Sequence, residues 1–255
     1  RQSRPPDRGG WPDDAIRAVF PASGLTAPMN EHRSEDDEWP SEREETADDG
    51  LAGTSQPASD DPAYRVLGVP DAGRLRLLDR ETYEPVVTAD AGHDAPVDDV
   101  RPGYLIDADL DWSSTEPTVE SLSVRRPTLY AFADDVDPVF EVARDAWADA
   151  RAAGDAMNSR VTRNTDNEVN GVLYVFAEGG ATETFEEFRE GTRPVEPLVE
   201  KANDRDGPAP REVFVLRPES REFVLVTIAL RKGGQFADTL RDTYDVPRPP
   251  EPLGS

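Results

Sequence analysis

The chain has 255 residues, with 53 acidic against 28 basic ones, a formal net charge of −25 and no cysteine. Disulfides, zinc thiolates and thiol nucleophiles are therefore excluded, and no apolar run approaches the ~18 residues that a membrane-crossing helix needs. Lys201 and Lys232 are the only lysines, so the basic residues are almost all Arg. In molar salt the Debye length is about 3 Å, so crowded surface carboxylates hardly repel one another. The balance thus points to a halophilic, cytoplasmic protein, and its acidity by itself says little about partners.

Residues 1–28 carry four Arg against three Asp, with Pro and Gly throughout. They lack the charged start, apolar stretch and cleavage site of a secretory signal. They read as sequence upstream of a native start at Met29, the alternative being a genuine disordered tail. Residues 30–62 hold 12 acidic residues and two Arg among few apolar ones. Such a segment cannot bury enough surface to offset its chain entropy, so 1–62 is expected to be a disordered, solubilising tail.

Order is expected from Tyr64. "YRVLGV" (64–69) and "RLRLLD" (74–79) are strand-like runs split by the turn "PDAG", and "PVVTA" (85–89) is a third. "GYLIDADLDW" (103–112) alternates apolar and acidic residues, "TVESLSV" (118–124) alternates as well, and "TLYAFA" (128–133) closes the set. Short strands without a helix signal predict a small antiparallel β barrel or sandwich over 63–134, an OB-like barrel being one candidate.

A layered α+β unit is expected over 135–247. "DVDPVFEVARDAWADARAAG" (135–154) reads as a helix, with Asp137 as its cap, Pro138 at its first position and Gly154 as its stop. "VLYVFA" (172–177) is apolar on both faces and reads as a central strand. Helices are expected at 182–191 and 194–202, a hairpin from "EVFVLRP" (212–218) and "EFVLVTIAL" (222–230), and a last helix at 235–244. Pro247, Pro249 and Pro250 end it, leaving 248–255 as a tail. The whole is an α+β protein.

Signatures for phosphate loops, dinucleotide folds and nucleophile elbows are missing. "RKGGQF" (231–236) puts two glycines at a strand-to-helix junction, where they either offer N–H groups to an anion or simply allow a tight turn, the turn being favoured. His93 beside Asp94, Asp98 and Asp99 suggests an oxygen-rich metal site or an acid–base pair. In so acidic a chain a solvated loop is the simpler reading, so no metal and no cofactor are expected.

The segment "AMNSRVTRNTDNEVNG" (156–171) stands apart. It holds four of the six Asn and is electrically neutral. Asn158, Ser159, Arg160, Arg163 and Asn164 supply directed donors and acceptors, and Arg forks suit carboxylate or phosphate. These five are the predicted ligand-binding residues. The competing reading is structural, because Asn also suits left-handed turns and caps.

With "AMNSRVTRNTD", "NGVLYVFA", "FREGTRP" and "ADTLRDTYDVP" in view, the chain resembles an uncharacterised family of haloarchaeal acidic proteins over roughly 63–248. The resemblance implies a high-salt cytoplasm and brings no activity. The functional expectation is a noncatalytic protein binding an anionic ligand or nucleic acid, with no membrane partner. Two alternatives stand beside it. One is an enzyme with an inter-domain site where Arg160 and Arg163 hold an anionic substrate; the other is a subunit of a larger assembly. Tyr104, Trp112 and Tyr130 can stack bases if they are exposed.

Overall fold

Alternation of apolar and acidic residues builds the first sheet. A computed structural model describes residues 62–71, 73–177 and 180–251; the expected tail at 1–61 lies outside the described residues. Strands β1 (Ala63–Asp71), β2 (Arg74–Asp79), β3 (Pro85–Val87), β4 (Leu105–Asp111) and β5 (Thr118–Arg126) form one antiparallel sheet in the order β3-β2-β1-β4-β5. In β4, Ile106 and Ala108 join Val66, Leu75, Leu77, Tyr104 and Val119 in one core, while Asp107 projects to the other face, as the two-residue period requires.

This sheet is open, which corrects the barrel expectation. β3 and β5 stand at opposite edges and do not pair. The sixth strand expected there, β6 (Leu129–Val136), pairs in parallel with β9 (Glu212–Pro218) of a second sheet. Its first residues are buried, and such a run carries no mark of which sheet it will join.

The second sheet adds β7 (Met157–Arg163), β8 (Val169–Phe176) and β10 (Val224–Ala229), in the order β6-β9-β10-β8-β7. All its pairs except β6–β9 are antiparallel. β9 and β10 are buried along their whole length because helices cover both faces. On one face Leu173, Val175, Phe214 and Leu225 meet Ala143 and Ala146 of α1 (Glu141–Ala153) and Ala237 and Leu240 of α4 (Gln235–Thr243). On the other, Val172, Tyr174, Val213 and Val226 meet Phe185 and Phe188 of α2 (Ala181–Glu190) and Leu198 and Val199 of α3 (Glu196–Asp206). The mixed α+β class is thus as expected.

Two helix details differ from or match the sequence reading. Asp137 and Pro138 precede α1, because β6 runs on to Val136 and Phe140 stands at the cap position. Gly154 and Gly191 end α1 and α2 with φ of +74° and +86°, a conformation that costs glycine little. The Asn-rich segment is neither a helix nor a loose connection: β7 and β8 form a hairpin through it.

Candidate functional site

The hairpin gives each Asn a local task. Asn158 donates to the Ala146 carbonyl of α1 at 3.0 Å and accepts from the Ser159 N–H and from Arg160. Arg160 also pairs with Asp149 of α1 at 2.7 Å. Ser159 is buried. Asn164 Oδ1 accepts from the Asp166 and Glu168 N–H groups, and Arg163 donates to the Asn167 carbonyl. Asn167 has φ of +64°, where Asn is favoured over most residues. Asn170 accepts from Thr162. Asn158 and Arg160 therefore meet α1, whereas Arg163 and Asn164 sit at the turn. β7 is the edge strand across the sheet from β6, so the five residues do not line the junction of the two sheets.

That junction carries a closed polar cluster. Arg65 of β1 donates Nε and Nη2 to Glu196, the first residue of α3, and Nη1 to the Gly103 carbonyl at 2.7 Å. Tyr130 of β6 donates its hydroxyl to Glu196 at 2.9 Å, and Arg80 Nη1 approaches the same carboxylate at 3.0 Å. Arg80 and Tyr83 also reach Glu200. Burial pushes the Glu196 carboxyl up, but the charge and hydrogen bonds of Arg65, with Arg80 and Tyr130, outweigh it and hold it below the ordinary range. Burial raises the Tyr130 hydroxyl well above its usual value, and the Glu196 charge adds to this. Gly103 fits here because a side chain on it, at φ of +96°, would strike Tyr130 and the Thr128 carbonyl. The cluster fastens the two sheets through direct side-chain contacts. Tyr104 and Tyr130 are buried, so neither can stack a base.

Two adjacent buried charges organise the end of the second sheet where β9 starts. Arg211, just before β9, donates to the Ala202 and Gly207 carbonyls at the C-terminal end of α3 and to the Leu230 carbonyl. Glu212, on the opposite face, accepts the Gly233 N–H just ahead of α4 at 2.8 Å, with Arg241 at 2.5 Å and Arg248 at 2.8 Å. Each charge sits at the helix end of opposite polarity. The paired glycines thus make a tight turn, with Gly233 at φ of +65°, and the Gly233 N–H already has an internal carboxylate.

Above this arrangement opens a cleft of about 580 Å³. Its walls include Pro127 and Pro210, and among the described residues Arg231, Lys232 and Arg248 face it against Glu251 alone among carboxylates. Lys232 lies 5.5 Å from the Tyr104 ring centroid and pairs with Glu251. Arg248 pairs with Glu212 and Asp238. The Arg231 side chain is exposed and has no ion-pair partner among the described residues. Arg248 and Glu251, expected in an unstructured tail, instead pack here because buried Glu212 and Lys232 hold them. The "RKGG" run marked this place in the sequence; Arg248 and Glu251 carried no signal.

His93 is not part of a site. Its Nε2 donates to the Gly73 and Ala89 carbonyls at 2.8 and 3.0 Å, and its Nδ1 accepts the Val119 N–H at 3.0 Å. Both ring nitrogens are thereby used by the backbone. Among the described residues no group of three or more His, Asp or Glu is placed to hold a metal ion.

With this geometry in place, comparison with known proteins assigns the chain. It belongs to a family of unknown function (DUF6663), whose model matches residues 56–249. The match takes in both sheets, the junction and most of the cleft. No curated protein and no solved structure matches the chain. Among the described residues no helix is long and apolar enough to cross a membrane.

Proposed function

We propose that the protein is a noncatalytic binding protein for a small anionic ligand, held in the cleft by Arg231, Lys232 and Arg248. The observation that carries this reading is Arg231: an exposed guanidinium with no ion-pair partner among the described residues, on a cleft wall where cations outnumber carboxylates. In a chain of net charge −25 such a local excess is unusual. The cleft volume of about 580 Å³ suits a small molecule. A nucleic acid backbone would meet the net negative charge of the chain, so the small ligand is favoured. The acidic surface itself is read as adaptation to a cytoplasm of molar salt, where screening shortens repulsion to about 3 Å. There, directed Arg contacts keep their value better than long-range attraction does.

Inorganic pyrophosphate is the probe, titrated calorimetrically at fixed ionic strength. Saturable binding is expected in the wild type, weakened at least about tenfold in Arg231→Gln because a charge-assisted contact is lost. The variant's unfolding midpoint should not change. Equal affinity in the two proteins would reject the cleft. A single-stranded oligonucleotide that outcompetes pyrophosphate would favour the nucleic acid reading.

A further inference from the structure

We infer that Glu251 is a built-in competitor for the cleft, its carboxylate standing where a carboxylate or phosphate group of a bound ligand would pair with Lys232. This rests on the reading of the cleft as an anion site. Among the described residues Glu251 is the only carboxylate lining the cleft, and it pairs with the only lysine there. The pair is sheltered but not sealed, with side-chain exposures of 16% for Lys232 and 29% for Glu251. Glu251 Oε1 itself is buried and meets the Lys232 ammonium directly. A ligand oxygen would have to take the place of that carboxylate to reach the ammonium.

The segment that delivers Glu251 is anchored without it. Arg241 Nη1 donates to the Val246 and Pro247 carbonyls at 3.1 and 3.0 Å. Arg248 reaches Glu212 and Asp238, and Arg101 Nε donates to the Pro250 carbonyl at 2.7 Å. These bonds fasten 246–250 to both α4 and the first sheet's side of the molecule. Glu251 can therefore swing off Lys232 while the cleft wall stays in place. The competitor keeps Lys232 neutralised when no ligand is bound and lowers affinity for weak anions.

The test titrates inorganic pyrophosphate into the full chain at fixed ionic strength, using the wild type, Glu251→Gln and Glu251→Asp. Glu251→Gln is expected to bind about two- to fivefold tighter, the range of a partly exposed ion pair. Glu251→Asp, which keeps a carboxylate, should stay closer to the wild type. Unfolding midpoints of all three should agree, since the anchoring bonds do not involve Glu251. Equal affinity of the wild type and Glu251→Gln would overturn the competitor while leaving the anion site standing. Weaker binding by Glu251→Gln would also overturn it, making Glu251 a contributor to the site. No binding by either protein would remove the anion site and the inference together.

Discussion

The junction between the sheets and the cleft at the end of the second sheet are built from the same residue types. Each sets arginines against carboxylates, and each draws on segments far apart in the chain. At the junction, Glu196 takes contacts from Arg65, Arg80 and Tyr130, and Arg65 spends all three of its side-chain nitrogens on Glu196 and Gly103. In the cleft, Arg231 has no ion-pair partner among the described residues and Arg248 is partly exposed. The difference follows from solvent. Burying an ion costs several kcal/mol, so a buried pair persists only when its charges are paired and hydrogen-bonded. A half-exposed cation bears little such cost and can keep donors for a ligand. Composition does not separate fastener from site; the state of matching does.

The largest test of this contrast is Glu196→Ala. It leaves the Arg65 guanidinium buried without its counter-charge, and a loss of about 3–5 kcal/mol is expected in urea unfolding. A loss below about 1 kcal/mol would show that water reaches the junction and that the two clusters differ less than their geometry says.

The second test uses pH. The folded Glu196 carboxyl lies below its unfolded value, so its stabilisation is complete above about pH 4.3 and is lost as the pH falls through the folded value. Wild type should therefore lead Glu196→Gln in stability at about pH 7, and that lead should shrink progressively as the pH falls below about 4.3. A gap that does not narrow in acid would mean that Glu196 is not held as a charged group.

The smallest expected effect belongs to the hairpin. Arg160→Gln with Arg163→Gln removes one partly exposed ion pair, the Arg160 hydrogen bonds to Asn158 and the Ser159 carbonyl, and one exposed carbonyl contact of Arg163, so about 1 kcal/mol is expected, with pyrophosphate binding unchanged. Loss of binding in this double variant would move the site from the cleft to the hairpin.

These outcomes also mark what the chain discloses by itself. The stop of α1 at Gly154, the apolar strands β8, β9 and β10 and the acidic alternation of β4 are local patterns, and each is legible in sequence. β7 is not, because an edge strand can be polar, and its Asn and Arg side chains read equally well as a binding segment. The partner of β6 is a matter of tertiary competition: Leu129–Val136 suits either sheet until β9 offers a fully buried neighbour. Arg65 and Glu196 are 131 positions apart, and nothing near either residue names the other. Of the cleft, only the "RKGG" run stood out; the rest comes from the return of 246–251 across the sheet end.

Arg211 and Glu212 have one more consequence. Neighbouring residues at a strand start face opposite sides, so this pair can satisfy α3 and α4 together in only one register of β9. Slipped by one residue, the carboxylate would lie against the carbonyl end of α3 and the guanidinium against the amides ahead of α4. Two attractions would become two repulsions, each inside a dry layer where an unmatched charge is costly. An apolar strand such as "VFVL" could slide in its sheet with little change in buried surface. The two charges at its head act as a key that admits one alignment and, with it, the single placement of the helices on both faces.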